Sequence, residues 1–162
     1  PPPARPRPGG GTHQPRLTDP TPPTEGMIHM RPERFQNWLL DTVKNTPDVG
    51  RVQTLAEAGI KKYPFGIAIT RGGREERWQI MHQLAEGEKL DHAESPVEGV
   101  PFTSPAPHPG DAADVWLAGV IGAAECPEIS RVDRWAARPE GSRQAGLTVF
   151  FHCGSRNFVR PL

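Results

Sequence analysis

The sequence predicts an α+β domain built on a mainly antiparallel sheet of about five strands, with two to three helices packed on one face. Two segments of alternating apolar residues flank glycine-containing turns, which is the pattern of two β-hairpins. Other segments repeat apolar residues at helical spacing. The predicted order is therefore a helix followed by a hairpin, twice along the chain.

Helical spacing first marks residues 31–44, where one face is apolar. The residues of that face are Phe35, Trp38, Leu39, Thr42 and Val43. Pro32 suits an early helical position because its missing N–H would have no helical partner there. A second, short helix is expected over residues 49–58, ending at Gly59, since glycine readily adopts the left-handed conformation of a helix end.

The third predicted helix covers residues 111–124, with Asp111 or its neighbour as the N-terminal cap. Its apolar face consists of Trp116, Leu117, Val120, Ile121 and Ala124. Gly119 and Gly122 lower the intrinsic helix propensity of this segment. We therefore expect packing against the rest of the domain to stabilise it.

The first hairpin is predicted over residues 65–83, where Gly72 and Gly73 supply the positive φ angles of a tight turn. Its return strand has one face with side chains at period two. The members of that face are Trp78, Ile80, His82 and Leu84. A strand is preferred over a helix here because the turn residues precede it.

The second hairpin is predicted from a strand over residues 146–153 and a return strand over 156–160. Residues 128–137 fit either an additional strand or a short helix. Gly66 and Gly146 open the two hairpins in a similar way. That likeness spans four residues and does not by itself predict an internal repeat.

The prolines divide the chain into a tail and a domain. Nine of the 20 prolines lie in residues 1–26, which contain one aliphatic residue larger than alanine. Because such a segment buries too little apolar surface to offset the entropy of ordering its backbone, a disordered tail is predicted there. Residues 27–162 are expected to form one domain. Within it, residues 86–110 form a long, acidic, Pro-rich connection, either a flap or a link between half-domains.

Composition excludes several classes of protein. No run of about 18 apolar residues exists, which excludes an apolar transmembrane helix and predicts no membrane association. Two cysteines in 162 residues exclude a disulfide-dense scaffold. Because the sequence also has no signal-peptide pattern, the two cysteines favour a reducing, cytoplasmic location. Arginine outnumbers lysine by 15 to four, a bias typical of a high-GC bacterial coding sequence.

Charge is balanced overall but segregated along the chain. The sequence holds 19 basic and 19 acidic residues, which argues against a protein held on nucleic acid by its global charge. Residues 86–128 contain nine acidic residues and one lysine, whereas residues 129–162 contain six arginines and two acidic residues. The two segments either pair with each other, or serve self-association in a charged assembly, or are ordinary solvated surfaces.

The basic C-terminal hairpin combines arginines with Phe150, Phe151 and Phe158. Arginine binds phosphate and aromatic rings stack bases, so the hairpin is a candidate nucleic-acid site. The candidate residues are Arg143, Phe151, Arg156, Phe158 and Arg160.

Motifs typical of enzymes are incomplete. His92-Ala93-Glu94 matches the H-x-E half of the zinc deaminase signature, but the P-C-x-x-C half is missing. The candidate metal ligands are His82, Asp91, His92 and His108, although none has the spacing of a recognised site. Cys126 and Cys153 are expected to be buried thiols. No cofactor is predicted.

These patterns favour a non-enzymatic protein-interaction or assembly module, compatible with an accessory protein of a bacterial mobile element or phage. A long arm and a long connection on a compact body suit such a role. A protein partner or self-association is expected. The alternatives are a nucleic-acid-binding protein that uses the C-terminal hairpin, and a small metal- or thiol-dependent enzyme.

Overall fold

The computed structural model describes residues 2–4, 9, 31–89, 96–139 and 144–162. Its elements, in chain order, are α1 (Pro32–Lys44), β1 (Val49–Thr54), β2 (Gly66–Arg71), β3 (Arg74–Gln83), α2 (Ala113–Ala123), β4 (Ile129–Arg134), a 3-10 turn (Trp135–Ala137), β5 (Leu147–Phe151) and β6 (Arg156–Pro161). The strands form one antiparallel sheet in the order β1-β2-β3-β6-β5-β4. The predicted α+β class is confirmed, with six strands and two α-helices packed against the sheet.

One face of the sheet and both α-helices enclose the core. α1 contributes Phe35 and Leu39, and α2 contributes Trp116 and Leu117. The sheet side of the core includes Ile67, Ile69, Trp78, Ile80, Ile129, Leu147, Val149, Phe151 and Val159. Because successive side chains of a strand point to opposite faces, the residues between these lie on the face away from the α-helices.

The predicted helix over residues 49–58 is wrong, because β1 occupies its first six positions. The helical signal belongs to the single turn that follows. The Thr54 amide donates to Glu57 Oε2 at 2.7 Å, and the Glu57 amide donates to Thr54 Oγ1 at 3.1 Å. This reciprocal arrangement is that of a capping box, and Gly59 ends the turn at a φ of 86°.

Most of the other predicted elements are confirmed, with changes at their ends. Residues 128–137 contain both expected structures, the strand β4 and then the 3-10 turn. Of the two predicted cap positions of α2, Asp111 or its neighbour, the structure places the neighbour Ala112 at the N-cap, without a side-chain hydrogen bond. The Asp111 carboxylate instead accepts a hydrogen bond from the His108 amide at 2.8 Å, which closes the preceding turn.

The described end of the long connection packs against the domain. The Gly99 amide donates to the Pro127 carbonyl and the Phe102 amide to the Ile129 carbonyl, both at 2.9 Å. Residues 99–102 therefore lie along the outer edge of β4. Phe102 also packs against the core. Residues 96–110 contain no helix or strand, as predicted, but they form a strap that runs from the edge of β4 across α2, where Ser104 and Pro107 pack against Gly122 and Gly119.

The two halves of the fold repeat one another. Each half is one α-helix followed by three antiparallel strands. In the sheet, the strands of the first half run from one edge to the centre in the order β1, β2, β3, and those of the second half run from the other edge to the centre in the order β4, β5, β6. The register between the first two strands of each half matches after a shift of 80 residues. Thr54 pairs with Ile67, as Arg134 pairs with Leu147.

The sequence carries this repeat at the same shift. The identical pairs are Pro47 and Pro127, Arg51 and Arg131, Val52 and Val132, Ala56 and Ala136, and Gly66 and Gly146. The hydrogen bond from the Leu55 amide to the Gly66 carbonyl, at 3.0 Å, recurs between Trp135 and Gly146 at 2.9 Å. Sequence reasoning missed the repeat because a helix over residues 49–58 breaks the correspondence with β4.

Two predictions concern the ends and the environment of the chain. The predicted tail, residues 1–26, lies outside the described residues except for 2–4 and 9, which are exposed. Within the described ranges, α1 has 13 residues and α2 has 11, and neither helix is long enough to span a bilayer, which takes about 20 residues.

Candidate ligand-binding face

Three adjacent strands place arginine and phenylalanine side chains together on the sheet face opposite the α-helices. Arg131 of β4 pairs with Phe150 of β5, and Phe150 pairs with Arg156 of β6. Phe158 and Arg160 follow on β6 at period two, so they share the face with Arg156. We call these five residues the Arg–Phe face.

The cations and rings of the Arg–Phe face stack on one another. The Arg131 guanidinium carbon lies 4.1 Å from the centroid of the Phe150 ring. Arg156 lies between two rings, 5.6 Å from Phe150 and 6.0 Å from Phe158. Each such contact contributes about 0.5–1 kcal/mol at an exposed site, so the contacts hold the long side chains in a preferred arrangement.

Polar side chains form an ion pair and hydrogen bonds at the border of the Arg–Phe face. Arg131 Nε lies 3.1 Å from Asp133 Oδ1, and the Arg131 side chain stays 61% exposed. At the start of β5 the buried Thr148 hydroxyl accepts a hydrogen bond from Trp135 Nε1 at 2.9 Å and one from Arg138 at 3.3 Å. The 3-10 turn therefore seats Trp135 beside the Arg–Phe face.

The residues predicted for nucleic-acid binding divide between the two faces of the sheet. Arg156, Phe158 and Arg160 belong to the Arg–Phe face. Phe151 lies on the core face, where its ring contacts Phe35 edge-to-face at 5.9 Å, and only 4% of it is exposed. It cannot stack on a base from there. Arg143 lies outside the described residues.

Sequence reasoning left two members of the face out of its candidate set. Phe150 was recognised as part of the basic hairpin, but its face depends on the register of β5. Arg131 was missed because residues 128–137 did not define a strand. The repeat is the sequence signal that points to these two residues. It aligns Arg131 with Arg51 of β1 and Phe150 with Thr70 of β2.

The structure describes two of the four candidate metal ligands. His82 lies on β3, and its Nδ1 is 2.6 Å from Asn157 Oδ1. His108 is exposed in the strap. Asp91 and His92 lie outside the described ranges. Within those ranges, no three His, Cys, Asp or Glu residues lie close enough together to hold a metal ion. The four-residue metal site stays a prediction.

The two cysteines differ in environment. Cys126 is buried, as predicted, and burial raises the pKa of its thiol. The same prediction is wrong for Cys153, which is exposed in the turn after β5, with its Sγ 3.1 Å from Ser155 Oγ. The His152 ring points elsewhere, with Nε2 2.9 Å from the Val100 carbonyl oxygen. Neighbouring His152 and Cys153 therefore do not form a catalytic pair.

A separate apolar cavity of about 680 Å³ lies between the start of α1 and the end of β3. Pro32, Phe65, His82 and Leu84 are among its lining residues. His82 Nε2 is buried and has no hydrogen-bond partner among the described residues.

Comparison with known proteins provides no family for this chain. No protein-family model, no curated protein and no solved structure matches it.

Proposed function

We propose that this chain is a non-enzymatic interaction module whose binding surface is the Arg–Phe face. The observation that carries the proposal is the row of Arg131, Phe150 and Arg156 across three adjacent strands, on the side of the sheet away from both α-helices. Arginine and aromatic residues dominate the energetic centres of binding surfaces. A rigid sheet holds them at fixed spacing, which lowers the entropy lost on binding.

The charge of the face indicates a partner with negative groups. Arg131, Arg156 and Arg160 contribute three positive charges, and Asp133 is the acidic residue beside them. The acidic residues of this chain concentrate in residues 86–128, where Glu98 is exposed. Acidic protein segments, including those of a second copy of the chain, and the phosphates of nucleic acid both supply such groups, so the charge supports the expected protein partner or self-association and also the alternative of nucleic-acid binding.

The proposed place of action is the bacterial cytoplasm. Both cysteines are free, and the exposed Cys153 thiol suits a reducing compartment. The excess of arginine over lysine supports a bacterial origin. No contact of His82 or Cys153 among the described residues favours the metal- or thiol-dependent enzyme.

The test is a capture experiment with the tagged full chain and a matched pair of variants. The face variant combines Phe150→Thr with Arg156→Gln, and the control is Arg51→Gln in the first half of the repeat. Each bait is exposed to host lysate with and without nuclease. Its self-association is measured by sedimentation, and circular dichroism verifies that each variant is folded.

The expected result is that the wild type and the Arg51→Gln control retain a partner, or associate with themselves, and that the face variant does not. Equal capture and equal self-association by all three proteins would show that the Arg–Phe face is not the binding surface.

A further inference from the structure

We infer that the partner of the Arg–Phe face is single-stranded nucleic acid, with bases stacked along its rings and guanidinium groups and phosphates bound by its arginines. This partner assignment rests on the proposed function, because it names the ligand of the same surface. Two observations carry it: the series of guanidinium groups and rings along the face, and the amides next to the arginines.

The first observation is the series of planar groups along the face. The guanidinium carbons of Arg131 and Arg156 lie 4.1 Å and 5.6 Å from the centroid of the Phe150 ring, so the three groups adjoin one another. Neighbouring strands of a sheet lie about 4.8 Å apart, so this series runs across the strands. Antiparallel sheets with two exposed aromatic side chains stack about two or three bases in RNA-binding modules.

The neighbouring strand adds groups that read base edges. On β3, Gln83 pairs with Arg156 and Gln79 pairs with Arg160, so both amides belong to the same side of the sheet. A side-chain amide donates and accepts hydrogen bonds, as the edge of a base does. In this assignment the arginines bind phosphates, the rings stack bases, and the amides bond to base edges.

Unpaired strands fit the surface better than a duplex does. The Phe150 and Phe158 rings lie half-buried between the arginines of the sheet face. They reach only bases whose faces are free, and a duplex stacks those faces inside itself. The balanced total charge of the chain is consistent with this, because stacking supplements a small number of phosphate contacts.

The repeat supplies matched variants. At the positions equivalent to Arg131 and Phe150, the first half carries Arg51 and Thr70. The first half therefore has the arginine without the ring. Phe150→Thr introduces the residue that the fold accepts at the equivalent position of the first half. Arg51→Gln removes the exposed arginine that is equivalent to Arg131.

The experiment measures fluorescence anisotropy of labelled dT12 and U12 oligonucleotides with the full chain. We expect binding of at least one oligonucleotide at 50 mM salt. With three arginine–phosphate contacts, the affinity should fall about 20-fold by 200 mM salt. Phe150→Thr should weaken binding about tenfold or more, and Arg131→Gln should weaken it as well, with Arg51→Gln near the wild type. Thermal melts of each variant exclude loss of fold.

Several results would overturn the assignment. Absence of binding of both oligonucleotides at 50 mM salt would do so, as would equal binding by Phe150→Thr and the wild type. Poly-glutamate that competes as well as U12 would identify an acidic protein as the partner instead. If the oligonucleotides fail while capture still depends on the Arg–Phe face, the nucleic-acid assignment falls and the interaction module stands.

Discussion

Gly66 and Gly146, which open the two hairpins, occupy positions where a Cβ does not fit. A Cβ at Gly66 would lie 2.2 Å from Leu55 Cδ1 and 2.3 Å from the Trp78 carbonyl oxygen. A Cβ at Gly146 would lie 2.2 Å from the Trp135 ring. We expect Gly66→Ala and Gly146→Ala each to destabilise the protein by about 1–3 kcal/mol or more, as overpacking of a core does. Gly66→Ala should cost more, because a strand carbonyl cannot rotate away.

Urea denaturation of both variants measures this effect. Gly110→Ala is the matched control, because its Cβ would meet nothing within 4 Å. Unchanged unfolding free energies for Gly66→Ala and Gly146→Ala would show that the strand starts are looser than the structure indicates.

The two thiols provide a second prediction at the residue scale. Cys153 is exposed and Cys126 is buried, so a thiol reagent at pH 8 should label one cysteine rapidly and the second only on unfolding. Burial raises the folded-state pKa of Cys126. The stability gained from keeping this thiol neutral is therefore fully present below its ordinary pKa of about 8.5, and it is lost as pH rises through the folded-state value. Rapid labelling of Cys126 in the Cys153→Ser variant would contradict the burial of the Cys126 thiol.

At the scale of elements, residues 49–58 show that helical spacing can mark a real turn and still predict too long a helix. Residues 49–58 have helical spacing, yet they form β1 followed by one hydrogen-bonded turn, which Thr54 and Glu57 close. β1 forms because β2 offers it an edge to pair with, and Val49 and Val52 pack against the core. A six-residue strand depends on that distant partner, which periodicity alone does not reveal.

The pKa of Glu57 tests this turn. Hydrogen bonds from the Thr54 amide and then from the Thr54 hydroxyl lower the pKa of the exposed carboxyl group. Thr54→Ala retains the first bond and removes the second, so the Glu57 pKa should rise part of the way to its ordinary value of about 4.3. NMR titration measures it. Because the folded-state pKa is lowered, the contribution of this carboxylate to stability is lost as pH falls through that value. An unchanged pKa in Thr54→Ala would exclude the hydroxyl contact.

At the scale of the whole molecule, the two halves share one core and one sheet. β3 and β6 pair along six residues at the centre of the sheet. Arg34 of α1 forms a two-bond ion pair with Glu128 at the start of β4, with Nη1 3.0 Å from Oε1. Residues of both halves form a single hydrophobic cluster. The repeat therefore describes the arrangement of the chain and not two independent domains.

This shared core predicts one cooperative unfolding transition. Differential scanning calorimetry should give equal calorimetric and van't Hoff enthalpies, because neither half retains its core without the other. Arg34→Gln should lower the midpoint without splitting the transition. Two resolved transitions would show that each α-β-β-β half is stable alone.

The sequence by itself determined the features that depend on residues close together along the chain. These are the α+β class, α1, α2 and the two glycine-turn hairpins. The basic hairpin was also identified from composition, and three of its candidate residues lie on the Arg–Phe face.

Only the tertiary structure decided which side chains share that face. Phe150 and Phe151 are neighbours in a strand, and the register of β5 sends Phe151 to the core and Phe150 to the Arg–Phe face. A shift of one residue would exchange them, because side chains alternate between the faces of a sheet. Arg131 joins Phe150 only through the pairing of β4 with β5, across about 20 residues of chain. Such pairing between distant segments arises when the whole sheet forms.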